Sequence, residues 1–469
     1  MKHLLQLSIL AFAILLATQA KRTGWSRAQD ALNATTTAPA SLLAPTPPMG
    51  WNSYDCYGGD VNEQEVKANA DYMAEHLARY GWKYIVVDYY WYYPDGAVQG
   101  LPSMDSYGRL IPDPKRFPSS RHGQGFKPLA DYVHAKGLKF GIHIMRGIPR
   151  AAVEENLPVL DTKAHARDVV NLLNTCSWSK AMYGVDVSKP AGRAYYISLA
   201  RLYAQWGVDY IKADDMSRAE DPLGEIYHEP EIEQLRRAMT ATGRRMVLSL
   251  SPGPTPLSDA VNVEHYSQLW RISSDMWDNW RQLADQFGNC RLWEPYAGPN
   301  HWPDADMLPL GLLQIRGFPK SFGKPHMTHL TRDEQRTLMT LWFISRSPLM
   351  IGADLPSLDT FTLALFSDPE ALEADQRSWG NHELFARDQQ IAWVANAPGT
   401  RAKYLALFNL ADSHRERIRV TWAQLELQGE CDVRDLWQRK DVGNFSRSFF
   451  AGVPAHGAAL YKIEPVSNP

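Results

Sequence analysis

Short apolar runs alternate with longer segments of helical periodicity over most of the chain. Val66, Ala70, Met73 and Leu77 recur at the spacing of one helix face, and Gly81 follows as a stop. This pattern predicts a helix over 63–80. The next run, 82–87, is almost wholly apolar, which is typical of a strand covered on both faces. The chain therefore starts with a strand, helix and strand unit of the kind found in α/β proteins.

The same unit repeats along the chain. Helices are predicted over 126–136 and after Ser188, with Pro190 in the first turn and Gly207 as the stop. Strands are predicted at 47–51, 82–87, 138–144, 208–212, 245–251, 268–272, a short segment before Asp306, and 347–351. Eight such units predict an α/β fold of the (β/α)8 TIM-barrel type over 45–377. A doubly wound open sheet is less favoured because no Gly-rich phosphate loop follows the first strand.

The pattern changes at about Trp379. Short strand-like runs with turn residues between them lie at 390–396, 402–409, 418–422, 433–437 and 458–463. Almost no helical periodicity remains. The region 378–469 is therefore predicted to be a C-terminal antiparallel β-sandwich domain.

The first residues resemble a targeting signal. An apolar run over 4–16 follows a short polar start and ends in small residues, which predicts a cleavable signal peptide over 1–20. Residues 21–44 are rich in Ala, Thr, Arg and Ser and predict a disordered leader. We therefore expect a secreted or periplasmic protein with no membrane attachment after cleavage.

Composition and charge narrow the partners. The 469 residues suit two domains, and a net charge of −3 argues against nucleic acid. The 16 Trp and 21 Tyr fit either a carbohydrate-binding surface or a large aromatic core. Four widely spaced cysteines predict no zinc site, and they are either free buried thiols or disulfide-bonded.

Polar residues stand where the predicted strands end. They are Asp88, His143, Lys212 with Asp214, Arg271 with Asp275, and Asp306. In a barrel these side chains converge on one face. Two carboxylates on different strands can flank one scissile bond, as glycoside hydrolysis requires. Structural ion pairing of these carboxylates is the competing interpretation, and residue patterns alone do not choose between Asp214 and its neighbour Asp215.

Four motifs carry a resemblance to a known family. They are Pro-Met-Gly-Trp-Asn-Ser at 48–53, Asp-Tyr-Ile-Lys-Ala-Asp at 209–214, Trp-Arg-Ile-Ser-Ser-Asp at 270–275, and Trp-Pro-Asp-Ala-Asp-Met-Leu at 302–308. In this order they resemble glycoside hydrolase family 27, the α-galactosidase (melibiase) family. The resemblance implies a retaining exo-glycosidase with a barrel and a β-sandwich, and without metal or organic cofactor. Its substrate would be a terminal α-D-galactosyl group of an oligosaccharide or polysaccharide.

The resemblance also implies roles for individual residues. Asp214 resembles the nucleophile and Asp275 the acid/base. The residues that resemble sugar-binding positions are Trp51, Asp88, Lys212, Arg271 and Asp306. Trp51 fits a sugar platform or a core position, and Asp304 is a rival to Asp306. We expect Asp275 to lie in a less cation-rich setting than Asp214, because the acid must be protonated when substrate binds.

Three positions depart from the family pattern. Tyr89 stands where the family has a second carboxylate, which holds the axial 4-hydroxyl of galactose. His143 stands where the family has Tyr, and 250–253 lacks the usual Glu-Trp element. Tyr89 and His143 are expected to line the pocket, with a core histidine and a packed aromatic loop over 89–93 as the competing interpretations.

These departures leave the sugar open. The family also contains enzymes that act on β-L-arabinopyranosides and on isomaltose units of dextran. A more distant alternative is a carbohydrate-binding protein without catalysis.

Overall fold

Eight parallel strands form the first domain of the computed structural model, which describes residues 42–95, 101–217, 227–316 and 324–466. The strands are β1 Met49–Asn52, β2 Tyr84–Val87, β3 Lys139–Met145, β4 Tyr210–Asp214, β5 Val247–Leu250, β6 Leu269–Arg271, β7 Trp302–Asp304 and β8 Leu349–Ile351. The predicted signal peptide and nearly all of the predicted leader lie outside the described residues.

The sheet curls into a barrel. Its strand order is β7-β6-β5-β4-β3-β2-β1-β8, so each strand pairs with its predecessor and β8 returns beside β1. Just after β7, Leu308 N–H donates to Met350 O at 2.7 Å, and Leu308 forms a parallel bridge with Ile351. This bridge joins the two ends of the sheet. The predicted (β/α)8 barrel is confirmed.

Helices follow the strands and cover the outside of the barrel. They are α1 Glu63–Tyr72, α2 Lys127–Ala135, α3 Pro190–Trp206, α4 Glu229–Ala241, α5 Ala260–Tyr266, α6 Trp280–Trp293, α7 Arg332–Ser345, α8 Thr360–Phe366 and α9 Pro369–Arg377. Asn62 starts α1 with a capping box, in which its side chain and that of Glu65 bond each other's backbone N–H. Gly207 ends α3 in the left-handed conformation at φ 85°, as its position after the apolar face predicted.

The C-terminal domain is antiparallel. Its strands are β9 Trp379–Arg387, β10 Gln390–Asn396, β11 Lys403–Asn409, β12 Glu416–Thr421, β13 Cys431–Asp435, β14 Lys440–Phe445, β15 Ser448–Val453 and β16 Ala458–Pro465. Six of them pair in the order β9-β10-β11-β16-β13-β14, and β12 pairs with β15. Buried apolar residues of both sheets share one core. This arrangement confirms the predicted β-sandwich.

The sandwich packs on the helical layer of the barrel. The Trp437 ring stacks on Phe343 of α7 with centroids 5.9 Å apart, and its indole N–H donates to Thr340 Oγ1 at 2.9 Å. Thr337 Oγ1 of the same helix donates to the backbone of His456 at 2.7 Å. One face of α7 is therefore covered by the second domain.

Most of the tryptophan surplus fills the interior. Eight fully buried indoles lie in the two domains: Trp51, Trp82, Trp91, Trp270, Trp293, Trp302, Trp342 and Trp393. By contrast, Trp178 and Trp379 are 43% and 42% exposed.

The four cysteines are free and buried, so the free-thiol interpretation holds. Within the described ranges, no helix combines the length and apolar character that a membrane span needs.

Candidate active site

The strand-end residues meet at one face of the barrel. A cavity there is lined by Asn52, Val86, Tyr210, Lys212, Ser249, Ser251, Arg271, Asp304, Asp306, Met307 and Met350. These residues come from β1, β2, β4, β5, β6 and β8 and from the segment at β7. The barrel therefore brings together Lys212, Arg271 and Asp306, which are far apart in the sequence.

Asp214 is held by two side chains. His143 Nε2 lies 2.8 Å from its Oδ2, and Ser251 Oγ donates to its Oδ1. Burial alone would raise the pKa of Asp214, but the hydrogen bond and charge of His143, together with Lys212, outweigh burial and lower it below the usual range. Asp214 is thus an oriented, ionised carboxylate, as a nucleophile must be.

Asp215 has a different environment. Its Oδ2 accepts from Arg146 at 2.6 Å, and Arg146 also pairs with Glu231 at 2.8 Å. All three side chains are at most 5% exposed. Asp215 has φ 60°, so the chain leaves the extended conformation directly after β4. The tertiary structure therefore gives Asp215 a charged partner inside the fold, while Asp214 is held by His143 and Ser251 and keeps 14% of its side chain exposed.

Lys212 and Asp88 form a buried pair beside Asp214. Lys212 Nζ lies 3.0 Å from Asp88 Oδ2, which also accepts from Asn52 Nδ2 at 2.6 Å. Burial would raise the pKa of Asp88, but Lys212 and then His143 lower it. Burial would lower the pKa of Lys212, but Asp88 and Asp214 raise it above its usual value. The pair therefore fixes an ammonium and a carboxylate next to Asp214.

Arg271 is shared between two carboxylates on the other side of the site. It donates to Asp306 Oδ2 at 2.7 Å and to Asp275 Oδ1 at 3.3 Å. Asp275 is 66% exposed, whereas Asp306 is buried and has φ 98°. Burial raises the pKa of Asp306, and Arg271 opposes that rise. Asp275 therefore contacts one cation, Arg271, which it shares with Asp306. Asp214, by contrast, has its pKa lowered by both His143 and Lys212.

Tyr89 lies within an aromatic cluster. Its ring stacks on Tyr90 at 3.5 Å and meets the edges of Tyr54 and His143 at 6.2 and 5.2 Å. Tyr89 is 8% exposed and His143 is fully buried. His143 Nδ1 is a buried atom for which no hydrogen-bond partner is present among the described residues. Through its other ring nitrogen, His143 is hydrogen-bonded to Asp214, a contact that the sequence did not predict.

Trp51 does not present a sugar platform here. Its side chain is fully buried, and its indole N–H donates to Ala353 O at 2.8 Å. This places Trp51 in the core. The rival for Asp306 also has a local role, because Asp304 Oδ1 accepts from the Asp306 N–H at 3.0 Å. Asp304 supports the turn that carries Asp306 into the cavity.

Two site residues were not among the sequence-predicted ones. Ser251 follows β5 and bonds Asp214, and Asn52 ends β1 and bonds Asp88. Both stand directly at strand ends, so their positions were a usable signal. A neutral Ser or Asn side chain does not by itself indicate a functional site, because its role depends on the carboxylate that it hydrogen-bonds.

One other group of side chains has donor atoms close enough for a metal ion. Among the described residues, Asp278, His326 and His329 place such atoms within 4.8 Å of one another. The two imidazole rings are stacked, with centroids 4.1 Å apart and planes 14° apart. A metal bound by imidazole lies in the ring plane, and one ion cannot lie in two stacked planes. The arrangement instead fits hydrogen bonding to Asp278, at 3.1 and 2.9 Å.

Comparisons with known proteins agree with this geometry. A family model described as alpha galactosidase A matches residues 46–166 and 183–377, and a model of its C-terminal β-sandwich domain matches 387–463. Barrel, sandwich and site thus define the class of glycoside hydrolases. Within that class, the chain belongs to the α-galactosidase (melibiase) family, glycoside hydrolase family 27.

Individual relatives differ in the sugar they act on. Alpha-galactosidase 3 of Arabidopsis thaliana is 30% identical, over 90% of this chain and 83% of the relative. An alpha-galactosidase of Cyamopsis tetragonoloba is 28% identical, over 91% and 88%. A solved β-L-arabinopyranosidase of family 27 from Geobacillus stearothermophilus is 44% identical, with TM-score 0.88, over 91% of this chain and 98% of that one.

Proposed function

We propose that this glycosidase is a retaining exo-enzyme that releases terminal β-L-arabinopyranosyl groups. The observation that carries the proposal is the paired environment of the two carboxylates. Asp214 is only 14% exposed, ionised and fixed by two hydrogen bonds, while Asp275 is largely exposed to solvent on the other side of the site. A nucleophile needs the first environment, and a group that exchanges protons with solvent needs the second.

The proposed reaction has two displacements. Asp214 Oδ attacks the anomeric carbon as the bond to the leaving oxygen breaks, and Asp275 gives that oxygen its proton. The sugar is then an ester of Asp214, so the negative charge of this carboxylate is lost. Asp275, now ionised, takes a proton from water, whose oxygen attacks the anomeric carbon and releases both sugar and free Asp214. Two inversions leave the anomeric configuration unchanged.

Tyr89 favours the arabinopyranoside. β-L-Arabinopyranose has the ring stereochemistry of α-D-galactopyranose and lacks only the hydroxymethyl group on C5. Tyr89 replaces the carboxylate expected to hold the galactose 4-hydroxyl, and its ring is fixed against Tyr90 and His143. Both sugars carry this 4-hydroxyl, so the preference comes from space: the bulky Tyr89 ring suits the sugar without a hydroxymethyl group on C5. The 44% identical relative with β-L-arabinopyranosidase activity in its name supports the same choice.

α-Galactosidase activity is the second candidate. It is supported by the relatives at 28% and 30% identity, which carry that activity in their names. The Lys212–Asp88 pair is compatible with both sugars, since both present the same hydroxyls at C2, C3 and C4.

The deciding experiment compares p-nitrophenyl β-L-arabinopyranoside with p-nitrophenyl α-D-galactopyranoside on one preparation. We expect the larger kcat/KM with the arabinoside, and release of β-L-arabinopyranose as the first product by NMR. A larger value with the galactoside would make this protein an α-galactosidase. Activity only on isomalto-oligosaccharides would favour the dextran-directed alternative, and no turnover of any glycoside would favour a binding protein.

Chemical rescue tests the assignment of the nucleophile. Asp214→Ala should lose several powers of ten in rate. With an activated aryl arabinoside, added azide should restore turnover and give the glycosyl azide of inverted configuration. Near-normal turnover of this variant without azide would rule Asp214 out.

We also propose that the protein is exported, which rests on the signal-like residues 1–20 alone. Secretion in the native host with cleavage near residue 20 would support it, and an uncleaved chain in the cytoplasm would contradict it.

A further inference from the structure

One segment of the barrel lies outside the family pattern. The family model leaves residues 167–182 unmatched, and we name this segment the β3 insertion. It contains the strand Val170–Thr175, a turn, and the start of the strand Met182–Val185. These two strands pair with each other, and Met182–Val185 also pairs with Ile148–Pro149, which lies shortly after β3. The insertion is therefore tied to the end of the strand that carries His143.

The turn of the β3 insertion holds an exposed indole between two buried anchors. Trp178 is 43% exposed, whereas Cys176 and Ser179 are 4% and 3% exposed. The Ser179 side chain lies beside the Tyr89 hydroxyl, and the Cys176 side chain lies beside the Asp215 carboxyl. Anchors on both sides fix where the Trp178 ring can lie. An exposed side chain on so constrained a turn is placed to meet a ligand.

The ring of Trp178 extends the aromatic cluster of the sugar site. Its centroid lies 5.9 Å from that of Tyr89, with 49° between the planes. Tyr89 in turn meets His143 edge-on, and His143 contacts Asp214. A continuous series of packed rings therefore runs from the nucleophile to the exposed indole.

We propose that Trp178 and Tyr89 together form an aromatic wall that covers the C4–C5 edge of the bound sugar and excludes a C5 hydroxymethyl group. The ligand class is a terminal pentopyranosyl group, and the inference rests on the proposed arabinopyranosidase function. Tyr89 stands at the position expected to face the 4-hydroxyl, and C5 is the next ring atom. Trp178 continues the wall outward from that position. The faces of the two rings stack on C–H groups, and a ring face is a poor hydrogen-bond partner for a hydroxyl.

The test removes the indole and compares two sugars that differ only at C5. Kinetics of Trp178→Ala and Trp178→Phe are measured with p-nitrophenyl β-L-arabinopyranoside and α-D-galactopyranoside. For W178A we expect the ratio of kcat/KM for the galactoside to that for the arabinoside to rise at least about tenfold, the usual size of discrimination by an apolar pocket. W178F keeps a smaller ring and should lie between W178A and wild type.

Two variants serve as matched controls. Leu173→Ala removes a side chain that is 97% exposed on the same insertion, and Trp379→Ala removes a half-exposed indole from β9 in the other domain. Both should keep the wild-type ratio within about twofold. A glycosyl fluoride of each sugar, which has almost no leaving group to bind, is measured beside the aryl substrates. The ratio change in W178A should be the same with both kinds of leaving group.

Three results would overturn the proposal. The first is an unchanged sugar ratio in W178A. The second is a loss that appears with aryl substrates and vanishes with fluorides, since this would place Trp178 against the leaving group. The third comes from calorimetry with free L-arabinose and D-galactose, where equal changes in both Kd values would exclude a wall at C5. If the wild type hydrolyses neither glycoside, the proposed function is refuted. The wall at C5 can still be tested by calorimetry, because the Kd values of the two free sugars can still be compared.

Discussion

Substitution of Asp215 should damage the fold rather than the chemistry. Its carboxylate faces Arg146, with Nη2 and Nε at 2.6 and 3.0 Å, and Arg146 is 1% exposed. The substitution is Asp215→Asn. Asn tolerates the left-handed backbone at φ 60°, so this change tests the ion pair without adding backbone strain.

The expected loss of stability follows from what remains around Arg146. Glu231 still pairs with it at 2.8 Å, so one of two negative partners is lost. Removing one partner of a buried ion pair costs about 3–5 kcal/mol. Burial raises the pKa of Asp215 to about 6 against the opposing effect of Arg146, so the ionised carboxylate is itself costly to bury. We therefore expect about 3 kcal/mol, at the lower end.

The assay is urea unfolding together with activity measured on the folded fraction at low temperature. Asp214→Asn is the matched control, since the same change is made one residue earlier. D215N should unfold at clearly lower urea and keep activity within about tenfold, because it touches no reacting atom. D214N should lose less stability than D215N, but its catalytic rate should fall by several powers of ten. A fully stable but inactive D215N would refute this reasoning and exchange the roles of the two residues.

Three further predictions concern charge and specificity. His143→Leu removes the hydrogen bond that helps to keep the pKa of Asp214 low, so the acidic limb of the plot of kcat/KM against pH should move up by about 1–2 pH units. His143→Gln keeps a hydrogen-bond donor and should move this limb less. An unchanged acidic limb in H143L would contradict the role given to His143. Burial and then Arg146 lower the pKa of His228 to about 3, so the folded state binds fewer protons than the unfolded state, and stability is lost as pH falls from about 6.5 towards 3. His228→Gln should flatten thermal stability against pH over this window, and curves parallel to wild type would exclude the effect. Tyr89→Asp replaces the large ring by a small carboxylate and makes room beside C5, so the galactoside-to-arabinoside ratio of kcat/KM should rise about tenfold; an unchanged ratio would show that this position does not select the sugar.

The barrel was largely predictable because its strands are buried on both faces. A strand such as β8 is apolar throughout, and a helix such as α3 shows one apolar face and a glycine stop, so burial leaves a clear trace in the sequence. The same reasoning missed β9, β14 and β15. Most residues of β9 and β14 are exposed or half-buried, so backbone pairing rather than burial defines these two strands, whereas β15 alternates buried and more exposed residues.

The site was predictable only where a residue carries charge at a strand end. Lys212 and Arg271 met this condition, and each has its carboxylate partner in the structure. Trp51 did not follow expectation, because a large ring at a strand end fits the core as readily as a pocket. Ser251 was missed because a hydroxyl becomes a site residue only through the carboxylate it bonds.

The sequence by itself determined the barrel, the β-sandwich and the charged residues at the strand ends that are typical of this glycosidase family. These properties are local, since they depend on periodicity and on position within one strand. The tertiary structure decided which of two adjacent aspartates is held by His143 and which is paired with Arg146. It also placed Trp178 against Tyr89, across a long separation in the chain. Such contacts form where separate strands converge in space, and a local sequence pattern does not show which distant residues will meet.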